Sequence, residues 1–160
     1  MPHRLSQRLL ALFIIALALL GGVTRGHCYQ ADVIDISARK YLPAVKGALA
    51  NAQKSIFLVM YFVNFDPKTI KSPVTELVTE LVAAHKRGVK VTVILDQNVS
   101  FDETGRIGEK EDKNQAIFTY LKQQGIQAYF DNLFITTHSK AIVIDKEIVI
   151  VGSANWTESS

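Results

Sequence analysis

With 160 residues, 48% of them hydrophobic, the chain has enough apolar material for one domain with a real core and too little for two. Its single cysteine, Cys28, excludes an intrachain disulfide framework, so stability has to come from packing. The net charge of +3 reflects 18 basic against 15 acidic residues, but Arg4, Arg8 and Arg25 lie within the first 28 residues, where there is no acid; the remainder carries 15 of each sign, and overall basicity is no argument for nucleic-acid binding.

In chain order, Arg4 and Arg8 precede an unbroken apolar segment from Leu9 to Leu20, followed by Gly21-Gly22 and a more polar stretch to Tyr29. About a dozen apolar residues suit the core of a signal peptide and fall short of the ~20 that cross a bilayer as a helix. Residues 1–28 are therefore expected to be a signal peptide, cleaved after Gly26 or Cys28, with a periplasmic or secreted destination. An uncleaved membrane anchor is the alternative, because Arg25 and His27 spoil an A-x-A cleavage site. A lipoprotein would want a small residue before Cys28, where His27 stands.

Within the remaining domain, 29–160, the spacing of Leu42, Val45, Leu49 and Ala52 predicts a short helix over 43–52. Ser55 to Val63 is a continuous apolar and aromatic run of strand length, expected to be a central strand buried on both sides. A helix follows, with Ser72 as N-cap, Pro73 in the first turn, Glu76 as an early acid and Lys86-Arg87-Gly88 at its end. His85, beside those cations, is expected to be solvated. Val89 to Leu95 is a second buried strand, and the alternation points to an α/β sandwich with at least partly parallel strands. Asp96 to Asp112 is polar, carries Gly105 and Gly108, and is expected to be a long surface loop that either borders a substrate groove or is a plain insertion. Lys113 to Gln124 is a helix ended by Gly125, Ile126 to Tyr129 a short strand, and Asp131-Asn132 a turn.

The last segment, H-S-K-A-I-V-I-D-K-E-I-V-I-V-G-S-A-N from His138 to Asn155, is the most informative. In an extended strand the side chains of His138 and Lys140 share one face, so an imidazole and an ammonium point into one site, a pairing suited to a phosphate. Ala141 to Ile144 and Glu147 to Val151 are apolar runs joined by a tight turn at Asp145-Lys146. Such a hairpin brings the loop Gly152-Ser153-Ala154-Asn155, with its hydroxyl and amide, towards His138 and Lys140.

This spacing resembles the HKD motif of the phospholipase D superfamily, H-x-K-x4-D-x6-G-S-x-N, at His138, Lys140, Asp145, Gly152, Ser153 and Asn155. The resemblance implies a phospholipase D-like α/β/α sandwich with a mixed sheet. Relatives continue past the G-S-x-N loop and supply a downstream acid that orients the histidine, whereas this sequence stops at Ser160 with Glu158 nearby. The fold is thus expected to be truncated at the C-terminus, unless something else orients the histidine.

Two HKD motifs per active site is the superfamily pattern, and single-motif members resemble bacterial endonucleases that pair two subunits. The resemblance therefore implies a homodimer with one shared active site. His138 of one subunit would attack phosphorus and that of the other would protonate the leaving oxygen; Lys140 and Asn155, helped by Ser153, would bind the non-bridging oxygens. Asp145 and Gly152 are assigned structural parts in the motif. No cofactor and no metal is implied. The leading expectation is an exported, metal-independent phosphodiesterase acting on nucleic acid, DNA or RNA. A phospholipase D or cardiolipin hydrolase acting on phospholipid is the alternative, which an uncleaved N-terminal anchor together with apolar residues lining the site mouth would favour, and an inactive nucleic-acid-binding fragment is a third reading.

Overall fold

A five-stranded mixed sheet forms the framework, in the order β3-β2-β1-β4-β5, with β1 Ser55–Met60, β2 Lys90–Leu95, β3 Gln127–Phe130, β4 Lys140–Ile144 and β5 Ile148–Val151. The computed structural model describes residues 30–97, 113–132 and 134–158. Residues from Asp35 onward make up one compact unit; 30–34, the described part of the other, carry no helix or strand. The expected signal segment lies outside the described residues, as does the 96–112 loop beyond Gln97. No described helix is long and apolar enough to cross a membrane.

Among the described residues three α-helices accompany the sheet: α1 Tyr41–Asn51, α2 Pro73–Lys86 and α3 Gln115–Gln123. The expected signals set their ends. Ser72 Oγ accepts from the Thr75 N–H at 3.1 Å with Pro73 in the first turn, and Gly88 beyond the end of α2 takes φ +94°. One Arg87 Nη2 donates to the carbonyls of Leu49 and Ala50 at 3.2 and 2.8 Å, satisfying orphan acceptors at the end of α1. Val45 and Leu49 of α1 are fully buried, each contributing about 2 kcal/mol by apolar burial. His85, expected to be solvated, is instead half-buried beside Gly125, because α2 ends against the turn that opens β3.

β1 pairs in parallel with β2, and β2 with β3, while β4 runs antiparallel to β1. Right-handed crossovers advancing in one direction across a sheet place their helices on the same face. That face is buried: Ile56, Leu58 and Met60 of β1, Val91, Val93 and Leu95 of β2, and Ile142 and Ile144 of β4 all belong to the core. The opposite face is more open, with Phe57 40% exposed, so the expectation that β1 is buried on both sides is corrected. A continuous apolar run marks a central strand, but which of its faces receives a cover is set by the connections. The C-terminal ends of the parallel strands and the start of β4 share one edge of this sheet, since Met60 pairs with both Leu95 and Lys140. Open α/β sheets place their sites at that edge.

Candidate active site

His138 stands in the extended segment that leads into β4, and Lys140 is the first residue of that strand. Tyr61, just past β1, donates its backbone N–H to the Ser139 carbonyl at 3.0 Å, which prolongs the β1–β4 pairing by one residue. Its ring meets both neighbours of Ser139. The centroid lies 4.4 Å from that of the His138 imidazole at an interplanar angle of 64°, and Lys140 Nζ sits 4.9 Å from the same centroid. His138 is exposed, whereas Lys140 is only 8% exposed. The buried ammonium gives one donor to the His138 carbonyl at 2.9 Å and makes no ion pair among the described residues. Two of its three donors remain for an anion.

The G-S-x-N loop is tied down at both ends. Gly152 donates its N–H to the Lys140 carbonyl at 3.2 Å. Trp156, 2% exposed, forms a parallel bridge with Val63, donates its N–H to the Phe62 carbonyl, accepts from Asn64 N–H, and donates Nε1–H to the Tyr41 hydroxyl at 3.0 Å. Ser153 to Asn155 therefore span from Lys140 to the segment following Tyr61, with Ser153 exposed and Asn155 half-buried. The structure brings His138 and Lys140 together about one ring and fastens the loop carrying Ser153 and Asn155 beside them.

Asp145 sits at the other end of β4. Its Oδ1 accepts from the N–H groups of Lys54 and Ser55 at 2.7 and 2.8 Å, and its Oδ2 from that of Gln53 at 2.8 Å. The Ser55 and Gln53 donors hold its carboxyl below the ordinary aspartate range against the opposing effect of desolvation, with Lys54 adding to them. Glu158 is exposed and makes no hydrogen bond to His138 among the described residues.

Three residues near the site carried no signal in the motif. Asn114, 2% exposed, accepts from Val63 N–H at 2.9 Å and donates to the carbonyls of Tyr61 and Asp96 at 2.8 and 2.9 Å, joining the ends of β1 and β2. Asp96, 3% exposed, accepts from Thr137 N–H at 2.7 Å, and Asp131 accepts from the same N–H at 3.1 Å. These two carboxylates fix the chain one residue before His138. An aspartate at the C-terminal end of a buried parallel strand is the available clue for Asp96; Asn114 reads simply as part of the helix expected over 113–124.

Comparison with known proteins gives a consistent family. The family described as "Cardiolipin synthase, PLD-like domain" matches residues 45–160. Cardiolipin synthase B of Salmonella typhimurium is 33% identical over 119 residues, which are 74% of this chain and 28% of that protein. A phospholipase D of Rickettsia prowazekii is 33% identical over 84 residues, 52% of this chain and 36% of the relative. Among solved structures, the phospholipase D family member Nuc from Salmonella typhimurium superposes with a TM-score of 0.52 at 30% identity, covering 73% of this chain and 65% of that one. The chain thus spans about a quarter to a third of the curated relatives and just under two thirds of Nuc.

Proposed function

The chain belongs to the phospholipase D-like family, and from that premise we propose that it is an exported, metal-independent phosphodiesterase that cleaves DNA or RNA through a phosphohistidine intermediate. One observation carries this reading: an exposed imidazole and a buried ammonium with two free donors meet at the C-terminal edge of the sheet, beside a loop bearing a hydroxyl and an amide. An imidazole nitrogen of His138 attacks phosphorus as the P–O bond to the leaving group breaks. His138 of a second copy gives its proton to the departing oxygen and afterwards removes one from the water that hydrolyses the P–N bond. Lys140 and Asn155, with Ser153, donate to the non-bridging oxygens as charge develops on them. One imidazole cannot be attacking base and proton donor at once, so the active unit is a homodimer with a shared site. Residues 1–28 direct export to the periplasm or beyond, or anchor the chain if left uncleaved.

Phospholipid is the second substrate class, favoured by Phe134 and Ile135, 79% and 63% exposed, four and three residues before His138. The test is nicking of supercoiled plasmid and hydrolysis of cardiolipin vesicles by the full chain in excess EDTA, each beside His138→Ala. Plasmid cleavage that survives EDTA and vanishes in the variant is the expected result. Cleavage of lipid alone would move the assignment to a phospholipase, and activity retained by His138→Ala would overturn the mechanism.

A further inference from the structure

We propose that Tyr61 is the positioning residue of this site, its ring holding the His138 imidazole and the Lys140 ammonium in register with one another. The inference rests on the reading of those two side chains as the reacting pair and adds what orients them. Histidine rings at active sites are usually steered by a carboxylate or carbonyl bonded to the ring N–H. Among the described residues, neither ring nitrogen of His138 makes a hydrogen bond, and the contact that defines its plane is the tilted packing on Tyr61 at 4.4 Å and 64°. This is the edge-to-face arrangement that aromatic quadrupoles favour.

The same ring faces Lys140 Nζ at 4.9 Å, inside the range at which a cation is drawn to an aromatic face. A buried ammonium with one hydrogen-bonded donor needs further compensation, and the ring supplies it while leaving two donors unused. A second carbonyl in that place would consume a donor that the phosphate requires.

Tyr61 is itself fixed from both sides. Its N–H is held by the Ser139 carbonyl, the residue between His138 and Lys140, and its carbonyl accepts from the buried Asn114 amide at 2.8 Å. The ring therefore has a rigid base, which positioning demands, since misplacement of a reacting group by about 1 Å can cost 100-fold in rate. The inference concerns the ring and not the phenolic hydroxyl.

The experiment compares Tyr61→Phe, Tyr61→Leu and Tyr61→Met in the full chain, using two readouts. One is the carbon-bound proton resonances of the His138 ring, assigned by their loss in His138→Gln, which a phenyl ring at this distance shifts by its ring current. The other is kcat on bis(p-nitrophenyl) phosphate, a phosphodiester that does not depend on whether the natural substrate is nucleic acid or lipid. Tyr61→Phe is expected to keep the shifted resonances and a kcat within about threefold of wild type, while Tyr61→Leu and Tyr61→Met move the resonances toward free-histidine values and lower kcat by about 10- to 30-fold, with a smaller change in KM. Unshifted resonances in wild type, or a folded Tyr61→Leu or Tyr61→Met with wild-type resonances and kcat, would overturn the proposal. If wild type hydrolyses nothing, the hydrolase reading fails, and the resonances of Tyr61→Phe against Tyr61→Met still decide the role of the ring.

Discussion

Asp145 accepts three backbone N–H groups at the entry to β1, and this makes its carboxylate a pH-dependent clamp. Its folded pKa is lowered, first by Ser55 and then by Gln53, below an unfolded value of about 3.9. The stabilisation it provides is therefore complete above that unfolded value and is lost as pH falls through the lower, folded one. Asp145→Asn is expected to melt at a lower temperature than wild type at neutral pH, and thermal melts from about pH 5 to pH 2 should show the gap closing on acidification. A constant gap across that range would show that the charge of Asp145 is irrelevant. The six motif positions, Asp145 among them, are legible in the sequence because they fall within eighteen consecutive residues. Asn114, Asp96 and Tyr61 are not, because their bonds and ring contacts reach residues 18 to 79 positions away and nothing local to them differs from a helix start, a loop start or a strand aromatic.

The β4–β5 turn is closed by the Glu147 N–H on the Ile144 carbonyl, and its central residues Asp145 and Lys146 take φ of +55° and +63°. Both lie in the left-handed region that a type I′ turn demands and that a residue with a Cβ enters at a cost of about 1 kcal/mol. Asp145 uses its position in the turn to accept three N–H groups from the chain entering β1; Lys146 has no side-chain hydrogen bond among the described residues. Lys146→Gly is thus expected to stabilise the protein by about 1 kcal/mol without altering activity, as measured by urea unfolding. An unchanged or lower midpoint would mean that the Lys146 side chain contributes something beyond its backbone angle. Secondary elements were legible to within a few residues: the expected helix over 43–52 lies at Tyr41–Asn51, and the strand over 126–129 at Gln127–Phe130. The error at β1 was one of environment. Ser55 to Val63 reads as apolar throughout, yet Phe57 and Val59 face away from the helices, and the handedness of the two crossovers is not written in the strand itself.

At the scale of the whole molecule, a shared site predicts how activity responds to mixing. If each active centre needs His138 from two copies, wild type equilibrated with a threefold excess of His138→Ala should retain about a quarter of the activity of the same amount of wild type alone, since most wild-type subunits then sit in mixed dimers. Independent active subunits would show no loss, and that result would end the dimeric mechanism. The sheet order bears on a different matter, the sequence of events in folding. β1 lies at the centre, but its neighbour on one side is β4, and the turn beyond β4 closes contacts with Gln53, Lys54 and Ser55 across 92, 91 and 90 positions. Loops of that span close slowly, and their cost is met before any contact repays it. A chain delivered N-terminus first, whether by a ribosome or by a secretion channel, therefore carries its central strand with one open edge until the HKD hairpin arrives, so that the segment bearing His138 and Lys140 is also the one that covers the second edge of β1.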